Sequence, residues 1–250
     1  MSKIPLKNAA ELNAMRVSCR MSAEVLQAVA AAVRAGVTTG ELDQLAQAMI
    51  KKMGAKPSFL GYHGYPAALC VSINEEVIHG IPGGREILPG DLVSIDVGVY
   101  YNGFHGDNAT TVMVGVVDLD VIRLVETTRR ALQLAIAATR PGGRLSDISH
   151  AVQCAAEAAG CSVVRQFVGH GVGHHLHEEP QVPNYGAPGR GPALKPGMTF
   201  AIEPMVNLGT AAVVVLDDDW TVVTRDGKPS AHFEHTVAVL EESVEILTLA

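Results

Sequence analysis

The sequence predicts an α+β fold: two related halves built around one shared, mainly antiparallel sheet. The first observation behind this is an internal repeat. Leu88-Pro-Gly-Asp-Leu-Val-Ser-Ile-Asp96 and Lys195-Pro-Gly-Met-Thr-Phe-Ala-Ile-Glu203 share Pro-Gly, five intervening residues and an acid preceded by Ile, at a step of 107 residues. The second is that other pairs keep nearly the same step: His63-Gly64 with His170-Gly171 at 107, and Gly54 with Gly160 and Gly36 with Gly142 at 106. The third is order: helix, helix and strands follow one another twice, with no Pro/Ser-rich linker between the rounds. Repeats of this kind and layers of this order read as one domain over 1–250, with halves at about 9–115 and 117–240.

Each element has a local reason. Residues 9–35 are alanine-rich, with Asn8 as N-cap and Glu11 three positions on, the spacing of a capping box. Thr38 and Glu41 repeat that spacing ahead of a second helix from about Gly40 to Met53. Strand and loop material follows to about Gly115. Val121, Leu124, Val125, Thr128, Leu132 and Ala135 then recur at helical intervals. A fourth helix opens near Ser146 and runs to about Gly160, and strands return.

Bulk properties exclude several function classes. With 48 % apolar and 18 % charged residues, the 250-residue chain has globular composition. A net charge of −7 argues against direct nucleic-acid binding, which needs a basic surface. No apolar signal-peptide core follows Met1 and no run reaches the length of a membrane span. Cys19, Cys70, Cys154 and Cys161 lack CxxC or zinc-ribbon spacing, so the expectation is a cytoplasmic protein with reduced thiols and no membrane partner.

The chemistry lies in acids placed on apolar strands. Val93-Ser-Ile-Asp-Val-Gly-Val-Tyr100 is strand-like, Asn102-Gly103 is a two-residue hairpin signal, and 104–114 forms the return strand. Centred on that turn, Gly98 opposes Asp107 and Asp96 opposes Ala109, so Asp96 and Asp107 are diagonal neighbours on one face. Two bare carboxylates about 5 Å apart repel by roughly 3 kcal/mol at an effective dielectric near 20, and burial adds to this. Glu203 holds the repeat position of Asp96 in a further apolar strand, 199–206, and Glu234 lies in the alternating strand 230–240. Four carboxylates then converge where no lysine pattern can neutralise them, and two divalent cations can. Four carboxylates and one imidazole suit hard to borderline ions. Two such ions roughly 3.5–4 Å apart polarise a carbonyl and generate hydroxide from bridging water. The imidazole comes from Gly169-His-Gly-Val-Gly-His-His-Leu-His-Glu-Glu-Pro180, which places His170, His174, His175 and His177 within eight residues. That stretch alone leaves open which of them is a ligand.

Together with these strands, Asn74-Glu-Glu-Val-Ile-His-Gly-Ile-Pro82, Asn102-Gly-Phe-His-Gly-Asp107, Gly169-His-Gly-Val-Gly173, His177-Glu-Glu-Pro-Gln-Val-Pro-Asn-Tyr185, Ile202-Glu-Pro204 and Glu234-His-Thr236 resemble the type 1 methionine aminopeptidases. The resemblance runs from about Leu6 to Leu247. It implies the pita-bread fold, a pseudo-twofold α+β duplication, with a dinuclear site for two divalent ions, Co²⁺, Mn²⁺, Fe²⁺, Zn²⁺ or Ni²⁺. It also implies a role for each motif position: Asp96 binds one metal, Asp107 and Glu234 bridge both, and His170 and Glu203 complete the other. His177 contacts the substrate near the scissile carbonyl, His79 shuttles protons near the scissile amide, and Glu203 moves a proton beside the metals. His174 and His175 match no functional position. The implied reaction is removal of the initiator methionine from nascent chains with a small second residue, by hydroxide attack on the first peptide bond. The family also implies a monomer that meets its substrate at the ribosome.

The methionine slot resembles the family's in part. Phe59, Tyr62, Tyr65 and Cys70 fall in or just after Ser58-Phe-Leu-Gly-Tyr-His-Gly-Tyr65, and Trp220 matches a residue at the pocket edge. A thioether favours such an aromatic-edged slot. Phe59 stands where close relatives often have Cys, and Leu176 where Phe is common; both departures bear on pocket shape. A proline-specific pita-bread peptidase shares the ligands but usually carries an additional N-terminal domain. A non-enzymatic binding relative would have lost ligands that are present here. Type 2 methionine aminopeptidases carry a helical insert for which the 26 residues from His177 to Glu203 leave no room. The absence of a zinc-finger or Pro-rich extension points to the short bacterial form.

Overall fold

The computed structural model of the chain describes residues 4–116 and 118–250. The expected start of the second half, residue 117, lies outside the described residues. In the first round of elements, α1 (Ala9–Ala32) and α2 (Thr39–Lys52) precede β1 (Lys56–Pro57), β2 (Leu69–Ile73), β3 (Glu76–Ile78), β4 (Leu92–Tyr101) and β5 (Phe104–Met113). In the second, α3 (Leu119–Ala138) and α4 (Leu145–Ala158) precede β6 (Ser162–Val163), β7 (Gly169–Gly171), β8 (Glu178–Val182), β9 (Thr199–Ile202), β10 (Met205–Asn207), β11 (Val213–Val215), β12 (Val222–Thr224), β13 (Ser230–His232), β14 (Glu234–Val239) and β15 (Val244–Ile246).

Both capping boxes form. Asn8 Oδ1 accepts from Glu11 N and Glu11 returns a carboxylate to Asn8 N; Thr38 and Glu41 do the same for α2. The first helix stops at Ala32, short of the expected 35, because Val33 turns extended. The fourth begins at Leu145 behind Arg144, whose N–H donates to Asp147. The step of 106–107 residues reappears in the pairing: isolated bridges join Thr38 to Glu86 and Arg144 to Ala193, and Gly36 N–H donates to the Ile87 carbonyl as Gly142 N–H does to Leu194.

A nine-stranded sheet runs β1-β4-β5-β14-β9-β7-β8, with β2 added to β4 and β15 to β14, and every pair in it is antiparallel. The Asn102–Gly103 turn sets the β4–β5 register as expected: Tyr101 faces Phe104, Gly98 faces Asp107 and Asp96 faces Ala109. Val93, Ile95, Val97 and Val99 turn one face of β4 towards α1 and α2, burying Val25, Val29, Leu42 and Ile50 against them. Phe200, Ile202, Val237 and Val239 do the same for α3 and α4. Four helices therefore cover one face of the sheet, and the alternate residues, Asp96 among them, point to the other.

Two strands differ from expectation. The apolar run 199–206 is broken: β9 ends at Ile202, Glu203 and Pro204 are outside any strand, and Met205 starts β10 in a separate three-stranded sheet with β13 and β6. Proline has no N–H for a ladder and restricts the residue before it. The run 230–240 likewise divides at Phe233 into β13 and β14, which belong to different sheets. Glu203 and Glu234 thus sit at strand ends, where the chain leaves one sheet for another.

Candidate metal centre

The acids converge because of register. Cys70 pairs with Asp96, Asp96 with Ala109, and Ala109 with Glu234, so one row of side chains crosses β2, β4, β5 and β14 on the face away from the helices. Glu203 follows the Ile202–His235 pair and extends that row. Asp107 lies two residues before Ala109 and shares its face. Ala109 places only a methyl group in the row between Asp96 and Glu234.

These groups line one cavity of about 310 Å³. Asp107, His170 and Glu234 bring ligand atoms within 4.8 Å of one another. His170 Nε2 lies 3.5 Å from Glu203 Oε1 and 3.9 Å from Asp107 Oδ2. Asp107 and Glu234 are buried, and Asp96 Oδ1, Asp107 Oδ1 and Glu234 Oε1 are buried without a hydrogen-bond partner among the described residues. Without a cation, burial and mutual repulsion drive these carboxyls towards their protonated forms. Burial pushes the Asp96 carboxyl up to about 7. Burial and then the Asp96 charge raise Asp107 well above the usual range. Burial, then the neighbouring aspartates, raise Glu203 and Glu234 in the same direction. Orphaned oxygens and raised carboxyls are what a divalent cation relieves, and this oxygen-rich set with one imidazole fits a hard or borderline ion.

The rest of the cavity is aromatic. Phe59, Tyr62, Tyr65, Cys70, Leu176 and Trp220 all line it, as do His79 and His177. Gly98 permits the Phe59 position: a Cβ there would lie 2.6 Å from the Phe59 ring. Tyr65 is buried, its hydroxyl donating towards the Leu69 and Gly80 carbonyls at 3.2 and 3.0 Å, and its ring meets Trp220 edge to face at 5.0 Å. His79 stands just after β3 at φ +60°, an uncommon conformation for a residue with a side chain. Its ring lies between Phe167 and Trp220, at 5.9 and 6.2 Å. Burial, then the nearby His177, lowers His79 to about 4, and the same causes lower His170 to about 3. Burial also lowers His177, whose Nδ1 is 2.7 Å from the Tyr62 hydroxyl. These shifts keep the three imidazoles neutral at neutral pH.

Comparison with known proteins agrees. The model of metallopeptidase family M24 matches residues 13–241. Methionine aminopeptidase 1 of Bacillus subtilis is 51 % identical over 242 residues, 97 % of this chain and 98 % of that protein. The chain belongs to the methionine aminopeptidases of family M24. The crystal structure of the Thermotoga maritima methionine aminopeptidase, at 46 % identity, superimposes with a TM-score of 0.97 over 99 % of this chain and all of that one. The Pyrococcus furiosus prolidase shares the fold, with a TM-score of 0.81 at 22 % identity, and this chain covers 65 % of its length. The pita-bread fold expected from the sequence is therefore the fold of the chain, and family membership brings divalent metal binding with it.

All thirteen residues singled out in the sequence line the one cavity. His174 and His175 do not. His174 is exposed, with Nδ1 on the Gly103 carbonyl at 3.1 Å and Nε2 on Glu11 at 3.3 Å. His63, Ile78, Phe167 and Val168 also line the cavity and were not anticipated. Nor was His232, which is 2 % exposed. Its backbone is fixed by Thr111, which accepts from His232 N at 3.0 Å and donates to its carbonyl at 2.7 Å. Its Nε2 has no hydrogen-bond partner among the described residues and faces Glu203 Oε2 at 3.9 Å. The alternation of His232 with Glu234 in one strand-like run was the available signal.

Proposed function

We propose that the chain is a metal-dependent aminopeptidase that removes the initiator methionine from polypeptides whose second residue is small. The observation that carries this is the row of orphaned carboxylates at the floor of a cavity walled by aromatic rings. Asp96, Asp107, His170, Glu203 and Glu234 are the side chains that would hold the cations. Two divalent ions held there, Co²⁺, Mn²⁺, Fe²⁺, Zn²⁺ or Ni²⁺ according to supply, would supply Lewis-acid activation of the scissile carbonyl and of a water at neutral pH.

The chain's own groups do the remaining work. Phe59, Tyr65, Cys70, Leu176 and Trp220 exclude water from the methionine side chain and hold it, Tyr62 orients His177, and His177 faces the scissile carbonyl. His79 and Glu203 accept and return protons at the amide nitrogen and beside the metals, which requires a neutral imidazole and an ionised carboxylate. A narrow, buried carboxylate floor suits the end of a chain with its free α-amino group. The partner is then an N-terminal Met peptide or nascent chain, met by a cytoplasmic monomer at the ribosome. The net charge of −7 supports a reading without nucleic acid as ligand, and no described helix is long and apolar enough to cross a membrane.

The test uses metal-stripped protein with each cation restored anaerobically, on Met-Gly-Met-Met and on an Ala-Pro peptide. Metal-dependent release of Met supports the reading. Cleavage of the Ala-Pro peptide alone moves the chain to the proline-specific branch, and silence on both with no metal bound leaves a binding protein.

A further inference from the structure

Lys7 is 6 % exposed, although its neighbours Leu6 and Asn8 are exposed. Its ammonium forms an ion pair with Glu178, the residue after His177, and the two side chains are 2 % and 5 % exposed. Backbone contacts hold both partners. Lys7 N–H donates to the Gly197 carbonyl at 2.7 Å. Glu178 Oε1 accepts from His175 N at 3.1 Å. Gly173 lies directly against the ammonium, where a Cβ would collide with it. On the opposite side, His105 N–H donates to the Gly173 carbonyl at 2.9 Å and His174 reaches the Gly103 carbonyl in the β4–β5 turn.

The stretch 173–178 is thus clamped between the segment ahead of α1 and the tip of a hairpin, and what it presents to the cavity is Leu176 and His177. A buried ion pair contributes little net stability, because desolvation offsets the attraction, but breaking it by removing one partner leaves a charge without compensation. One use of such a pair is to favour a single arrangement of the segments it joins. In this arrangement the His177 ring lies with Nδ1 2.7 Å from the Tyr62 hydroxyl and its centroid 4.0 Å from that of His170.

We propose that Lys7 is a positioning residue for the reaction: through Glu178 it holds the loop that delivers His177 to the scissile bond. The proposal rests on the functional reading above. Reacting groups misplaced by about 1 Å cost up to about 100-fold in rate. Removing the clamp therefore lowers kcat while leaving the five metal-binding side chains in place.

The experiment measures kcat, KM and Mn²⁺ affinity on Met-Gly-Met-Met for Lys7→Met in the wild-type and His177→Ala backgrounds. Lys7→Met is expected to lower kcat/KM by about 10- to 100-fold, mainly in kcat, at unchanged Mn²⁺ affinity. In the His177→Ala background the same substitution is expected to cost less than about twofold, because residues acting as one unit are not additive. If Lys7→Met does not fold, Lys7→Met/Glu178→Gln, which leaves no unpaired charge, takes its place in both backgrounds. An equal loss in both backgrounds, a loss that follows Mn²⁺ affinity, or no loss at all overturns the proposal. Absence of Met release by the wild-type protein would overturn instead the functional reading beneath it.

Discussion

The Tyr62 hydroxyl lies 2.7 Å from Nδ1 of His177. That bond leaves Nε2 as the nitrogen available to the cavity, and it fixes the ring plane. Tyr62→Phe keeps the wall of the slot and removes the bond. A hydrogen bond of this kind contributes about 0.5–1.5 kcal/mol, so kcat/KM for a Met peptide is expected to fall roughly three- to tenfold with metal content unchanged. Steady-state kinetics on metal-loaded protein check this; an unchanged kcat/KM would remove Tyr62 from the account of His177.

Stability should depend on pH differently with and without metal. The carboxyls are raised in the folded chain, Asp96 to about 7, with Asp107, Glu203 and Glu234 moved in the same direction. The folded state then binds more protons than the unfolded one, and stability falls as pH rises through that range. The imidazoles act the other way: His79 and His105 are lowered to about 4 and His170 and His232 to about 3, mainly by burial. Their contribution is lost as pH falls below about 6.5. Between that pH and the more alkaline range, where burial raises the Cys19, Cys70 and Cys161 thiols, the carboxyls dominate the difference between the two states. Metal-stripped protein is therefore expected to lose a few degrees of Tm, on the order of 2–4 °C per kcal/mol, between pH 6.5 and 8. Saturating Mn²⁺ is expected to abolish the fall. Thermal scans at three pH values, with and without Mn²⁺, decide it; a metal-free Tm that stays level or rises across this window contradicts the carboxyl assignment.

His232 offers a prediction that separates metal binding from folding. Its Nε2 is buried and unpartnered 3.9 Å from Glu203 Oε2, and such an atom costs about 1–3 kcal/mol unless it finds a partner. A metal-bound Glu203 carboxylate would give that nitrogen a partner to close on, and outer hydrogen bonds of this kind are worth about 10- to 100-fold in metal affinity. His232→Leu is expected to weaken Mn²⁺ binding by that order while leaving the metal-free Tm unchanged or higher. Calorimetric titration measures the first quantity and a thermal scan the second. Unaltered Mn²⁺ affinity would make His232 a core residue only.

Gly98→Ala tests the wall of the slot. The added Cβ would meet Phe59 Cε1 at 2.6 Å and Ser58 Cβ at 2.7 Å, so the ring must move. Overpacking of this kind costs about 1–3 kcal/mol. The expected result is a raised KM for Met peptides with kcat changed less, together with a lower Tm. A variant that loses stability but keeps its KM would show that Phe59 does not shape the methionine slot.

Much of the centre was legible because β-structure has a period of two. The Asn102–Gly103 turn fixes the β4–β5 register, and that register alone puts Asp96 and Asp107 on one face. Glu203 and Glu234 were legible as acids in apolar runs, but not as residues at strand ends. That depended on Pro204 and on Phe233, where the chain changes sheets. The choice of His170 among four clustered histidines came from family resemblance, since spacing alone did not distinguish it from His174 or His175. What stayed hidden were contacts made over long sequence distances: Lys7 with Glu178, 171 residues apart, and Thr111 with His232, 121 apart. No periodicity encodes such pairs, because they exist only once the two halves have packed.

The measurement that tests the central claim most directly is metal stoichiometry beside Met release, for wild-type protein and Asp107→Asn. Asp107 stands within 4.8 Å of both His170 and Glu234, and Asn keeps its shape while removing the charge. The account predicts two Mn²⁺ per wild-type chain with metal-dependent release of Met. In Asp107→Asn it predicts sub-stoichiometric metal and a loss of release of at least about 100-fold at unchanged fold. Full metal occupancy and near wild-type release in Asp107→Asn would contradict it.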